Sequence, residues 1–213
     1  MKLGCDVSHW QGVMDWPKAK AASIEFAFVK ATQGVSFLDN AHDANCAGLE
    51  AVGLPYGDYH FYEPTMNPEA QAQWFLKYHR GQWACLDVEK SAPVTKAQYA
   101  AGVRAWLLVV EAATGKKPFI YTRKTFWDPY VGADLRDHPL WVAHYGAIAP
   151  SLPYAWPDWK IWQFTSKGDG KKYGSQSLSI DLNWAKDEIL TPPGPTLAEK
   201  VDRLWLAHPE LHT

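Results

Sequence analysis

Three short apolar runs in this chain each end in a carboxylate, and that repetition constrains the fold more than any other feature. Leu3-Gly4-Cys5 leads into Asp6, and Leu178-Ser179-Ile180 leads into Asp181. Trp83-Ala84-Cys85-Leu86 leads into Asp87, with Glu89 two residues further on. A β-strand repeats every two residues, so Asp87 and Glu89 project from one face. A charged group inside a run of Leu, Ile and Val is costly unless it is paired or used. A parallel barrel gives all four acids a common reason, because its strands deliver their C-terminal ends to one face, where such folds keep their sites. Unrelated Asp residues in turns after strands are the plainer alternative, since Asp favours turns. For Asp87 and Glu89 alone, a solvated strand end or a structural ion pair would suffice.

The Asp-x-Glu spacing also has a chemical meaning. Two like charges this close cannot both ionise cheaply, so one carboxyl is pushed towards staying protonated near neutral pH. A protonated acid beside an ionised partner is what cleavage of a glycosidic bond requires.

Along the chain, strand-like and helix-like segments alternate. Strands are expected at 3–7, 26–31, 56–62, 84–89 and 119–122, with helices at about 16–22, 40–52, 68–79 and 96–114. Asn67-Pro68 pairs a capping residue with Pro at the first helical position. Thr95-x-x-Gln98 reads as a capping box, and Gly53 and Gly115 as helix stops. Such alternation builds βαβ units and a parallel sheet. After Thr122 the rhythm changes: 141–145, 160–165 and 178–182 read as three further strands, joined by segments rich in Pro, Gly and Asp with no amphipathic helix. The expected fold is therefore α/β, an eight-stranded TIM-like barrel with about five helices whose last three strands lack helical crossovers. This unit is expected to span 1–190, followed by a Pro/Gly linker at 191–195 and an amphipathic helix at 196–213. That terminal helix would pack on the barrel, mediate self-association, or open a wall-binding module.

A chain of 213 residues fits one domain with a sizeable core. Its formal charge of −2 gives no electrostatic case for nucleic acid or an anionic membrane, and no apolar run reaches the length of a membrane span. Twelve Trp and ten Tyr are out of the ordinary, and most of them are expected simply to fill the core. Trp10, Tyr59, Tyr62, Tyr121, Tyr145 and Trp162 fall close to the acidic strand ends, where aromatic faces would stack on sugar rings. Cys5, Cys46 and Cys85 form no disulfide framework. With Asp6 and Asp87 pointing inward, Cys5 points out and Cys85 in, so free buried thiols are expected. No zinc-binding spacing is present in the sequence pattern. The start Met runs directly into the first strand without an apolar leader, so synthesis in the cytoplasm without a signal peptide is expected.

Six ordered segments then resemble glycoside hydrolase family 25, the Chalaropsis-type muramidases or lysozymes common among phage endolysins. They are Asp6-Val-Ser-His-Trp-Gln-Gly12, Phe28-Val-Lys-Ala-Thr-Gln-Gly34, Gly57-Asp-Tyr-His-Phe61, Leu86-Asp-Val-Glu89, Trp162-Gln-Phe164 and Ile180-Asp-Leu182. The resemblance covers residues 3 to about 185. It implies a (β/α)5β3 barrel that hydrolyses the β-1,4 bond between N-acetylmuramic acid and N-acetylglucosamine in bacterial peptidoglycan. It also implies retention of configuration and no metal or organic cofactor. In the resemblance Glu89 is the general acid and base, and Asp87 holds the 2-acetamido group or stabilises the developing cation. Asp6 and Asp181 line the same pocket, with Asp181 a possible nucleophile. Lys30, Tyr59, Tyr121 and Trp162 match positions that line the cleft, while His9 and His60 read as structural. Gln33 stands where relatives often carry Glu. Without an export signal, the protein would be a phage or prophage lysin that reaches the wall after release. A catalytically silent glycan-binding barrel and a metal-dependent phosphodiesterase are the competing classes. The first would be favoured by loss of one acid, and the second lacks the expected His ligands.

Overall fold

The computed structural model describes residues 1–189; the linker and helix expected at 191–213 lie outside the described residues. The strands are β1 (Lys2–Val7), β2 (Phe26–Gln33), β3 (Phe37–Leu38), β4 (Tyr56–Phe61), β5 (Trp83–Asp87), β6 (Phe119–Thr122), β7 (Leu140–Ala143), β8 (Ile161–Asp169) and β9 (Ser179–Ala185). All but β3 close into an eight-stranded barrel in the order β1-β2-β4-β5-β6-β7-β8-β9 and back to β1. The two-residue β3 is a hairpin partner of β2 at the rim. Helices α1 (Trp16–Ala21), α2 (His42–Val52), α3 (Pro68–Leu76), α4 (Lys96–Thr114) and α5 (Lys124–Tyr130) fall in the first five connections, and no α-helix joins β7, β8 and β9.

One expectation needs correcting. Every pairing from β1 round to β8 is parallel, but β9 runs antiparallel to both β8 and β1. Asp181 is therefore not at the outgoing end of a parallel strand. It is the third residue of a strand that enters from the mouth, directly opposite Asp6 in register. Reversal of the strand and early placement of the acid cancel, so Asp181 still reaches the same face.

Helix α5 was not legible because Pro129 lies inside it, and Pro in a seven-residue segment reads as a breaker. The caps elsewhere form as the residues dictate. Asn67 accepts from the Ala70 N–H, Thr95 and Gln98 complete a reciprocal capping box, and Gly53 and Gly115 adopt the left-handed conformation that ends α2 and α4.

Strand parity sorts side chains into two layers. Phe26, Phe28, Cys85, Phe119, Tyr121, Trp141, Ile161 and Ala185 fill the barrel interior. The alternate positions, such as Val29, Leu86, Ile120 and Val142, pack beneath the helices. Inside, Phe28 meets Trp141 at 4.6 Å and Phe119 at 5.8 Å between ring centroids, so the floor is a packed aromatic plug. Gly4 and Gly57 make room for it: a Cβ there would come within 2.4 Å of Phe26 and 2.5 Å of Phe28. Cys5 lies in the outer layer, Cys85 in the inner one, and all three thiols are free and buried.

Candidate active site

Above the aromatic floor, the same inward positions turn acidic. The pocket at the barrel mouth is lined by Asp6, Asp87, Glu89 and Asp181 together with Tyr59, Tyr121, Trp141, Tyr145, Gln163 and Ser166. Glu89 lies beyond the end of β5, yet it keeps the strand's alternation. The intervening Val88 is fully buried in the outer layer, and its N–H donates to the Tyr121 carbonyl at 2.9 Å. That one bond extends the extended chain far enough to aim Glu89 inward with Asp87.

Asp6 is the best-anchored of the four acids. Its Oδ2 accepts from Gln163 Nε2 at 2.9 Å and from Asn183 Nδ2 at 2.8 Å. Both amides are themselves fixed. Gln163 Oε1 accepts the hydroxyls of Tyr121 at 2.8 Å and Tyr145 at 2.6 Å, and Asn183 Oδ1 accepts the Trp141 indole N–H at 2.8 Å. Asp181 stands directly opposite Asp6 across the β1–β9 pair, so the two carboxyls face each other in the pocket. Asp87 is buried and its Oδ1 has no hydrogen-bond partner among the described residues.

All four carboxyls are held above the usual range, and burial is the leading cause each time. Asp6 is pushed up to about 6, because the amide donors of Asn183 and Gln163 favour its charged form and limit the rise. Asp181 is pushed up to about 8 by burial and by the charges of Asp6 and Glu89. Two desolvated carboxyls facing each other thus favour a proton within the pair. Asp87 is raised well above its ordinary value by burial, then by Glu89. Glu89 is raised by burial and opposed by Arg123, whose Nη1 lies 3.6 Å from Glu89 Oε2, and by Lys30. Burial and mutual repulsion thus favour the protonated form of carboxyls at this mouth, which is what general acid chemistry needs.

The profile described as "Glycosyl hydrolases family 25" matches residues 5–172. The chain belongs to this family. It is 32% identical over 198 residues to Lysozyme M1 of Streptomyces globisporus, covering 84% of this chain and 66% of the relative. It is 30% identical over 200 residues to an N,O-diacetylmuramidase of Chalaropsis sp, covering 84% and 93% of the two chains. The chain thus spans just under two thirds of the length of Lysozyme M1. Among solved structures, the bacterial lysozyme of Streptomyces coelicolor superposes with a TM-score of 0.79 at 29% identity, covering 87% of this chain and 92% of that one. The CTP1L endolysin superposes with a TM-score of 0.79 at 26% identity, covering 89% and 68%.

Within this family 25 barrel, the aromatic and Lys30 expectations divide. Tyr59, Tyr121 and Tyr145 line the pocket; Tyr62, Trp162, Trp10 and Lys30 do not. Tyr62 and Trp162 fail by parity. Tyr59 points inward on β4, so Tyr62 three residues later points outward and packs against Tyr99 of α4. On β8, Ile161 and Gln163 face inward, leaving Trp162 in the outer layer with its indole N–H on the His144 carbonyl at 2.8 Å. Trp10 sits in a short 3-10 turn after β1, 76% exposed, its ring tilted against His9 at 4.6 Å between centroids. Lys30 keeps the inward phase but bends to the rim, where Nζ donates to Gln33 Oε1 at 2.9 Å and lies over the Phe61 ring at 4.9 Å. Gln33 continues the chain to Glu63, which pairs with Lys90.

Gln163, Ser166 and Trp141 line the pocket without having been singled out. For Gln163 the signal was available: it is the central residue of Trp162-Gln-Phe164, and counting parity from Ile161 selects it over Trp162. His60 is a core histidine, with Thr32 Oγ1 at 2.8 Å and Gln71 Oε1 at 3.2 Å, and burial lowers it to about 4. His9 pairs with the buried Asp39 at 2.6 Å.

A second polar cluster lies outside the barrel. The donor atoms of His42, Cys46 and Asp58 lie within 4.8 Å of one another, close enough to suggest a metal. Asp58 is already saturated, however. Its oxygens accept from His42 Nε2 and His79 Nδ1 at 2.9 Å each, and from the backbone N–H groups of Arg80 at 2.6 Å and Gly81 at 2.7 Å. These bonds tie α2 and the turn after α3 to the back of β4, which accounts for the cluster structurally.

Proposed function

We propose that this protein is a muramidase, cleaving the β-1,4 bond between N-acetylmuramic acid and N-acetylglucosamine in bacterial peptidoglycan. The observation that carries this reading is the convergence of Glu89, Asp87 and the facing Asp6 and Asp181 carboxyls in one aromatic-walled pocket. Membership of family 25 and similarity to proteins named lysozyme and N,O-diacetylmuramidase support it.

In this reading Glu89, protonated in its half-buried position, gives its proton to the leaving glycosidic oxygen as the C1–O bond breaks. The cation at C1 is captured either by the substrate's own acetamido oxygen or by a carboxylate, and retention follows from both routes. Glu89, now ionised, then takes a proton from the water that attacks C1. Asp87, which lines the pocket, turns its carboxyl towards the acetamido N–H. Asp6, fixed by Gln163 and Asn183, orients Asp181 and the sugar. Tyr59, Tyr121 and Tyr145 supply faces and hydroxyls for the ring. The similarity to the CTP1L endolysin supports a role in wall lysis after release from the cell that made it.

The test is digestion of purified peptidoglycan followed by borohydride reduction and mass spectrometry of the new ends. Reduced N-acetylmuramic acid is expected. Reduced N-acetylglucosamine instead would make the enzyme a glucosaminidase, and no new ends from several wall types would leave a binding protein.

A further inference from the structure

Beside the acidic pocket, and sharing Tyr145 with it, lies a second pocket of opposite character. Its walls are Arg123, Lys124 and Thr125 from the cap and start of α5, Ala143 at the end of β7 with His144 and Tyr145 after it, and Ser151. Two cations line it and no carboxylate does. Arg123 is half-exposed and approaches Glu89 at 3.6 Å, an ion-pair distance longer than a hydrogen bond. Lys124 is 42% exposed and pairs with Asp128 of its own helix at 2.7 Å. His144 Nδ1 accepts the Ser151 N–H at 2.9 Å, so the neutral ring carries its proton on Nε2 and is a donor there. Thr125 and Ser151 add hydroxyls.

The proposed substrate has a matching asymmetry. N-acetylglucosamine is neutral, whereas muramic acid carries a lactyl ether on C3 that ends in a carboxylate or continues into an acidic stem peptide. A carboxylate is repelled by the cluster of acids at the barrel mouth and attracted by the neighbouring cations. Guanidinium and ammonium groups suit it, Arg through two parallel N–H donors.

Building on the muramidase reading, we propose that the Arg123–Lys124–His144 pocket binds a carboxylate on the C3 arm of the muramyl sugar. Occupancy would place that sugar next to Glu89 and set the register in which the glycan strand is cut. A strand displaced by one sugar would present neutral N-acetylglucosamine to the cations and push the acid arm elsewhere.

The test compares wild type with Lys124→Gln, which touches no group of the acidic pocket, on three glycan preparations. These are strands bearing stem peptides, strands stripped by an amidase to leave the free lactyl carboxylate, and stripped strands with that carboxylate converted to a neutral amide. Thermal melting checks that the variant is folded. A KM raised about tenfold, with kcat kept, is expected only where the recognised carboxylate is present. A rise confined to peptide-bearing strands assigns the carboxylate to the stem. A rise on stripped but not on neutralised strands assigns it to the lactyl group. The same KM ratio on all three preparations overturns the proposal. Failure of the wild type to cut any of them would instead overturn the muramidase reading.

Discussion

Asp58 and Asp87 lie on neighbouring strands, both buried, and the fold treats them in opposite ways. Asp58 faces outward, beneath α2 and the turn after α3, and is met by four N–H donors. Burial alone would raise it, but the bonds from His42, His79 and Gly81 outweigh burial and hold it below the usual carboxylate range. Asp87 faces the mouth, has an oxygen without a described partner, and sits among other acids. Burial and Glu89 drive it the other way. Burial of a carboxyl therefore does not mark function. What separates these two acids is the supply of donors: Asp58 has four, and Asp87 Oδ1 has none among the described residues.

The contrast can be broken most severely at Glu89. Glu89→Gln removes the exchangeable proton while keeping shape. Turnover should fall on the order of 10³-fold with an unchanged far-UV spectrum; retained turnover would move the acid role to another residue. Asp58→Ala should do the reverse. It leaves two histidines and two N–H groups without their acceptor, so about 3 kcal/mol of stability should be lost by denaturant titration, with kcat unchanged in whatever remains folded. Because the folded-state value of Asp58 is depressed, its stabilisation is present above the unfolded value of about 4 and lost as pH falls further. The penalty of Asp58→Ala should accordingly shrink on acidification.

A smaller effect of opposite sign is expected at Asp181. Its folded value is raised to about 8. Below about pH 4 both states are protonated and the group contributes nothing. As pH rises, the unfolded chain ionises freely while the native state cannot, so a penalty grows until about pH 8 and then levels. Asp181→Asn can donate to Asp6 and should stabilise the protein by roughly 1–2 kcal/mol at pH 7, with no gain at pH 4, while activity drops. Equal melting temperatures for variant and wild type at pH 7 would show that Asp181 is an ordinary acid. The least effect is expected for Tyr145→Phe. Gln163 keeps the Tyr121 hydroxyl, so loss of one neutral hydrogen bond should lower kcat/KM by about tenfold or less.

The strands and capped helices were legible because their signals are local. Alternation, Asn67-Pro68, the Thr95–Gln98 box and two stop glycines each act within a few residues. The convergence of the acids was also legible, since each lies at a position where a charge contradicts its apolar run. The direction of β9 was not, because a strand's polarity depends on its connection and pairing, and nothing in Ser179–Ala185 encodes it. Trp162 and Tyr62 were misplaced for a different reason. Both lie close in sequence to the acidic strand ends, but strand parity sends their rings outward. Trp10 departs from any strand, so alternation says nothing of it. The donors that separate Asp58 from Asp87 come from residues 16 to 23 positions away, and no local pattern reveals them.

The contrast itself is measured most directly by following the side-chain carboxyl carbons of 13C-labelled protein by NMR from pH 2 to 9, with single Asn or Gln variants for assignment. Asp58 should remain ionised through the ordinary carboxylate range, while Asp6 titrates near 6, Asp181 near 8, and Asp87 and Glu89 above their ordinary values. If the four mouth acids titrate together with exposed carboxyls near pH 4, they hold no proton at neutral pH. Glu89 could not then be the acid that starts the reaction.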